Sequence, residues 1–189
     1  MTTVSIIGNG NMAKAIGGIV AAGGNTAEYI GRGEGTLNGD IVVLAIPYPE
    51  VDGVIASHGP ALAGKIVVDI TNPLNFETFD DLVVPAESSA AALIAAKVPD
   101  AKVLKAFNTT FAATLASKTV GAGQTTVLIA GDDSDAKASL SEIIIAGGVG
   151  AVDAGSLKRA RELEALGFLQ LTLAVGEKIS WTGGFGLNV

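Results

Sequence analysis

The chain has no cysteine, which excludes disulfides, thiolate nucleophiles and thiolate metal sites. It has one histidine, His58, in the run Ala56-Ser57-His58-Gly59-Pro60, where a helix end at the surface is expected. Without a second histidine or a cysteine, His58 has no partners for a zinc site. No Gly-x-Ser-x-Gly run is present, so a hydrolase nucleophile elbow is excluded, and no G-x-x-x-x-G-K-[ST] run marks a P-loop. Arginine is scarce too: Arg32, Arg159 and Arg161 are the only three. The net charge of −7, from 12 basic and 19 acidic residues, is a poor match for a nucleic-acid backbone. No apolar stretch reaches the roughly 18 residues of a membrane span. The first apolar run, Val4 to Ile7, is too short for a signal-peptide core and no basic leader precedes it. A cytoplasmic protein with neither membrane nor nucleic-acid partners is expected.

What the chain does have is glycine, 25 in 189 residues, about 13% against a usual share near 7%. It also has a hydrophobic fraction of 49%, too high for disorder. Short apolar runs at Val4–Ile7, Ile41–Ala45, Ile66–Asp69, Val103–Ala106, Thr125–Ala130 and Val149–Val152 read as strands, with a weaker one at Thr26–Ile30. Between them fall helical patterns at Asn11–Ala22, Glu50–Leu62, a stretch capped by Ser88 or Ser89 through Ala95, and Asp133–Ala146. From Leu157 a longer helix follows, with Leu157, Ala160, Glu164, Phe168, Leu171 and Val175 on one face. This alternation predicts an α/β fold: a Rossmann-like, doubly wound, mostly parallel sheet with a C-terminal helical segment. We expect residues 1–155 to form one α/β domain, with residues 156–189 a helical and loop segment that is not an independent domain.

The sharpest motif is Gly8-Asn9-Gly10-Asn11-Met12-Ala13, which follows a strand and opens a helix. In that context G-x-G-x-x-A is the dinucleotide fingerprint. Gly8 allows the tight turn, Gly10 leaves room for the pyrophosphate, and Ala13 lets the helix pack on the strand. The plain alternative is an ordinary strand–helix turn. Glu28 stands 20 residues after Gly8, as in an NAD site, but falls before the end of its strand. Arg32 lies just past the end and suits a 2′-phosphate, which points to NADP(H). Otherwise Arg32 is a solvated loop charge and Glu28 reads the ribose. Three further strand ends carry candidate site residues: Ala45-Ile46-Pro47, Thr71-Asn72-Pro73 and Asn108. Asn72 and Asn108 would equally serve to cap a helix or brace a turn. Tyr48 is a candidate proton donor but has no Tyr-x-x-x-Lys partner, so direct hydride transfer between two positioned rings fits better than acid–base chemistry.

These residues together resemble the NADPH-dependent coenzyme F420 reductase (F420H2:NADP+ oxidoreductase) family. The likeness is carried by Gly8–Ala13, Gly31-Arg32, Ala45-Ile46-Pro47 and Gly64–Asp69 running into Thr71-Asn72-Pro73. Gly131-Asp132-Asp133, and Asp153-Ala154-Gly155 leading into Arg161–Glu164, complete it. The resemblance implies an NADP(H)-dependent oxidoreductase, commonly homodimeric. Gly8, Asn9, Gly10, Asn11 and Met12 would hold the pyrophosphate and Arg32 the 2′-phosphate. Ala45, Ile46 and Pro47, with Thr71, Asn72 and Pro73, would border ribose and nicotinamide. Asn108, Thr71 and Asn72 would position the reacting rings, and Trp181 to Gly186 would match the family's loop beside the deazaflavin. Two departures, a short Gly31–Ile41 stretch and Asn108 where the family carries a histidine, leave the acceptor open among F420-like deazaflavin, flavin, quinone and ferric chelate. Related membrane ferric reductases have a similar NADPH domain. The alternative function is a catalytically inactive NADP(H)-binding sensor or regulatory protein.

Two expectations concern the C-terminal helix. Arg161 and Glu164 are three apart and, flanked by Leu157, Leu163, Leu166 and Phe168, would form a partly buried structural pair beneath the site. Its apolar residues exceed one stripe, and Trp181 and Phe185 need a surface to lie on. A partner subunit would supply both, and cover from within one subunit is the alternative.

Overall fold

The computed structural model describes residues 1–31, 33 and 35–187. Five strands run parallel: β1 (Thr3–Ile7), β2 (Thr26–Ile30), β3 (Ile41–Leu44), β4 (Ile66–Asp69) and β5 (Lys102–Lys105). Helix α1 (Asn11–Ala22) joins β1 to β2, α2 (Val51–Leu62) joins β3 to β4, and α3 (Ala90–Lys97) precedes β5. After β5 come a short helix α4 (Ala112–Ser117) and a two-residue hairpin, β6 (Thr119–Val120) with β7 (Gly123–Gln124). Strand β8 (Thr126–Gly131) then enters antiparallel to β5. Helix α5 (Ser134–Ala146) crosses over to β9 (Gly150–Gly155), parallel to β8, and α6 (Ala160–Val175) ends the helical part. The main sheet has the order β2-β1-β3-β4-β5-β8-β9. This is the doubly wound, mostly parallel architecture with a C-terminal helical segment that the alternating pattern predicts.

The sheet is buried on both faces, so its strands read as continuous apolar runs. Ile6, Val43, Val68 and Leu104 point to one side, where α1 and α5 supply Ile16, Ile19, Leu140 and Ile144. Ile7, Val42, Leu44, Val67 and Val103 point to the other, against Val51, Val54 and Leu62 of α2 and Ile94 of α3. Ala160, at the start of α6, joins this second cluster. Helix α3 is capped by Ser89, whose Oγ accepts from Ala92 N at 3.0 Å. Asp133 caps α5 the same way on Ala136 N at 2.8 Å, which together with Lys102 holds its carboxyl below the usual range.

Three local expectations are corrected. His58 is buried within α2, because its helix face packs on the sheet. Arg161 does not pair with Glu164; it reaches the exposed Glu87 at 3.5 Å, while Glu164 turns into the core. The inward face of α6 is Ala160, Leu163, Glu164, Gly167, Gln170 and Ala174, a narrower and more polar stripe than the apolar count suggests, and Val175 is exposed.

Candidate functional site

Strand order reverses at β1, which passes to β2 on one side and to β3 on the other, and ligands of such sheets bind outside the strand ends at this point. Gly8 sits there with φ +119°, and its N–H bonds Ile30 O at 3.0 Å. A Cβ at Gly8 would overlap the Ala45 carbonyl oxygen, so the turn closes against β3 only with glycine. Gly10 is the N-cap of α1 and has open space where a Cβ would be. The helix starts without a side-chain cap or an acidic residue in its first turn, which leaves its N–H groups and positive dipole end for an anion. Asn9, Gly10, Asn11 and Pro47 are exposed on this rim, while Ile46 is buried beneath it.

Two hollows flank the turn. One of about 360 Å³ is lined by Gly8, Asn9, Tyr29, Ile30 and Gly31. Arg32 lies outside the described residues. Glu28 is inside β2, opposite Ser5, and accepts from Asn38 Nδ2 at 3.0 Å. The second hollow, about 390 Å³, begins at Asn11 and Met12 and continues past Ile70, Asn72, Phe107 and Asn108 to Phe111, Leu171 and Trp181. The glycine turn, the β4 and β5 ends and the C-terminal loop therefore meet in one place. Ala45, Pro47, Thr71 and Pro73 are not in its wall, nor is Tyr48, whose phenol is pushed up by burial.

Asn72 and Asn108 bind each other. Asn72 Nδ2 donates to Asn108 O at 2.9 Å, and Asn108 Nδ2 donates to Asn72 Oδ1 at 2.9 Å and to Leu163 O of α6 at 2.8 Å. Gly167 lies over this pair, and a Cβ there would overlap Asn72 Oδ1. Phe107, just before, is held at φ +64° although it is a bulky residue, a strain of roughly 1–2 kcal/mol that the surrounding packing sustains. Two buried oxygens here, Thr71 Oγ1 and Asn108 Oδ1, have no hydrogen-bond partner.

Behind the pair lies a buried ion cluster that the sequence reading did not assemble. Lys105 Nζ stands 2.8 Å from Asp69 Oδ2 and 2.9 Å from Glu164 Oε1, and donates to Thr71 O at 2.5 Å. That uses all three of its donors. Asp69 also accepts from Thr71 N at 2.8 Å, and Glu164 accepts from Ala90 N at 2.9 Å and Ala91 N at 3.3 Å at the start of α3. All three side chains are essentially inaccessible. Burial pushes the Glu164 carboxyl up, an effect that Lys105 opposes. The signal was present: two buried apolar strands, Ile66–Asp69 and Lys102–Lys105, each end in a charge, and the charges are opposite and in register.

The C-terminal loop lies on its own chain. Trp181 packs on Phe111 with ring centroids 5.0 Å apart, and Phe185 N donates to the buried Gln170 Oε1 at 3.1 Å. The Trp181 and Phe185 side chains nevertheless stay about half exposed.

Comparison with known proteins places the chain. Residues 30–73 match the family described as NADP oxidoreductase, coenzyme F420-dependent. Over 177 residues the chain is 30% identical to the F420-dependent NADP reductase of Methanocaldococcus jannaschii, covering 90% of this chain and 79% of that protein. Over 181 residues it is 29% identical to the metalloreductase STEAP3 of Rattus norvegicus, covering 86% of this chain but only 36% of that protein's length. A solved structure from Arthrobacter sp. FB24, a candidate F420-dependent NADP reductase, matches at TM-score 0.86 over the whole of both chains, with 22% identity. That likeness shows the shared fold. Fold and relatives together define an NADP(H)-linked oxidoreductase of Rossmann type. Within that class, the chain belongs to the F420-dependent NADP reductase family. Among the described residues no helix is long and apolar enough to cross a membrane, and no cluster of histidine and carboxylate groups could hold a metal ion.

Lys105→Met, which leaves two buried carboxylates facing each other, should destabilise the protein by about 3–5 kcal/mol. Urea denaturation checks this, and a loss below about 1 kcal/mol would mean the carboxylates are not held as ions by Lys105.

Proposed function

We propose that the chain binds NADP(H) along the Gly8–Met12 turn and passes a hydride between its nicotinamide and a planar acceptor in the 390 Å³ cleft. One observation carries the reading: Asn11 and Met12 belong both to the glycine turn and to the wall of that cleft. A dinucleotide whose pyrophosphate lies on the turn would extend past the β3 end toward β4 and β5. The residues suit it. Gly10 leaves the approach open, Gly8 permits the turn, and Asn108, which lines the cleft and whose Oδ1 has no partner, is an acceptor for a carboxamide N–H. Bound there, the cofactor supplies the hydride.

The chain's part is orientation. Ala45, Ile46, Pro47 and Pro73 would border the cofactor. Thr71, Asn72 and Asn108 would set the plane of the reacting ring, and Asn9 would face the phosphates. None of the cleft's side chains titrates near neutral pH, which matches a transfer that needs no protein acid or base. Trp181, Phe111 and Leu171 offer an apolar wall to a ring system, and an F420-like deazaflavin, a flavin or a quinone fits that wall better than a ferric chelate. This open cleft beside the glycine turn supports an enzyme over a redox-inactive sensor. In this reading residues 1–155 bind the cofactor and residues 156–189 complete the acceptor side.

We assign the 2′-phosphate to Arg32, the arginine that follows β2 in sequence. Oxidation of NADPH and of NADH, each with coenzyme F420, FMN and menadione, tests the whole assignment in wild type and Arg32→Ala. NADPH should be preferred, and the substitution should weaken it by about 1.5–3 kcal/mol, the range for a hydrogen bond to a charged group, while leaving NADH unchanged. Equal losses for both cofactors would move the ribose contact to Glu28, and no turnover with any acceptor would favour the sensor.

We also propose a homodimer formed through the outer side of α6 and the C-terminal loop. Leu169, Val175, Phe185 and Leu187 remain exposed there although the loop is already seated on its own chain. Sedimentation equilibrium over a concentration series should show twice the monomer mass. A species that stays monomeric at high concentration would exclude it.

A further inference from the structure

Helix α6 contributes to the cleft without belonging to the sheet. Leu171 lines the wall directly, and Gln170, through Phe185, ties down the loop that carries Trp181. What fixes the helix against the strand ends is concentrated in one turn before those residues. Leu163 O accepts from Asn108, Gly167 lets Asn72 and Asn108 approach, and Glu164 reaches Lys105 on β5 and the first N–H groups of α3. Of these three anchors Glu164 is the charged one, and it joins α6 to β5 and to the start of α3. All its partners are donors: Lys105 Nζ on one side, Ala90 N and Ala91 N on the other. Lys105 in turn holds the Thr71 carbonyl and, through Asp69, the Thr71 N–H. One carboxylate thus registers the C-terminal helix on the same strand-end turn that leads into Asn72.

We propose that Glu164 is a positioning residue: it sets the register of α6 on the β4 and β5 ends, and through it the place of Leu171 and Trp181 in the cleft. The proposal rests on the reading of the cleft as the acceptor site, but the structural coupling stands apart from any turnover. Buried charges are costly, and a network with two carboxylates and one lysine carries a net formal charge of −1 in the interior. A glutamine would pack in the same volume without that charge. What it could not do is accept from all three donors, because its Nε2 would face Ala90 N or, turned over, Lys105 Nζ and Ala91 N. The carboxylate is therefore selected by geometry that an amide cannot reproduce, and the consequence of losing it is displacement of α6 rather than an empty space.

The chain has a single tryptophan, the half-buried Trp181, so fluorescence excited beyond tyrosine absorption reports on this wall alone. The test compares wild type, Glu164→Gln and, on the same helix, Arg161→Gln, which breaks only the exposed contact with Glu87. In Glu164→Gln the Trp181 emission should shift to the red and acrylamide quenching should increase. NADPH affinity, read by titration, should stay within about twofold, the change expected of a substitution away from a site. Arg161→Gln should match wild type in both measurements. Glu164→Asp, which keeps the charge but shortens its reach, supplies a second variant and should also loosen Trp181. Unchanged quenching in both Glu164 variants would overturn the proposal. So would a joint loss of Trp181 shielding, NADPH binding and folding, or failure of both variants to fold, because each makes Glu164 a general stability element. If NADPH fails to bind wild type as well, the cofactor assignment fails, while the Trp181 result still decides the role of Glu164.

Discussion

A lysine with no solvent contact is held between two carboxylates at the carboxyl edge of the sheet, and the organisation of the site depends on that contact. Lys105, Asp69 and Glu164 come from β5, β4 and α6, three elements far apart in the chain. Hydrophobic burial builds the sheet and its two helical layers, but it is non-directional and would tolerate α6 in several positions. The ion cluster is directional. Each donor of Lys105 has an acceptor, and the spare lone pairs of Asp69 and Glu164 take the N–H groups of Thr71, Ala90 and Ala91. Such clusters seldom add stability over a well-packed apolar substitute. Here the stabilisation comes from the apolar layers, and the charges specify position.

The same edge uses the smallest side chains to bring backbone and amide groups close. Gly8 lets the first turn close on Ala45 O, and Gly167 lets the asparagine pair touch α6. A methyl group at either position would push apart elements that the site needs in contact. Phe107, at positive φ, shows that the strand end after Lys105 is bent into place against its own preference. Gly8, Gly167, Phe107 and the Lys105 cluster meet at the carboxyl ends of β1, β3, β4 and β5.

Much of the architecture was legible in the sequence because parallel strands buried on both faces leave uninterrupted Val and Ile runs, as at Ile41–Leu44 and Ile66–Asp69. Helices with clear caps, at Ser89 and Asp133, were legible for the same local reason. What was not legible depended on tertiary contact. Helix α4 has six residues, too few for a periodic signal, and its hairpin turns β8 antiparallel without any local mark. The apolar residues of α6 exceed one stripe, and although Glu164 shares a face with Ala160, that Gln170 also turns inward depends on its partner in the C-terminal loop. His58 was misplaced because its burial depends on how α2 meets the sheet. The glycine turn and the strand-end asparagines were visible as motifs, but that the two asparagines bind each other was not.

Glu164 is buried against Lys105 and the first N–H groups of α3, and its titration reports that burial. Its value in the folded protein is raised above the ordinary glutamate range by burial. Between the ordinary value and the raised one, the folded chain binds more protons than the unfolded chain, so stability falls as pH rises through that window. The direct measurement is the difference in unfolding free energy between wild type and Glu164→Gln, followed by urea denaturation from acid to neutral pH. Wild type should gain on the variant as pH falls toward the ordinary glutamate value and lose ground as pH rises through the raised value. A difference that stays constant across this range would contradict the account, because burial would then leave the Glu164 carboxyl no harder to ionise in the folded chain than in the unfolded one.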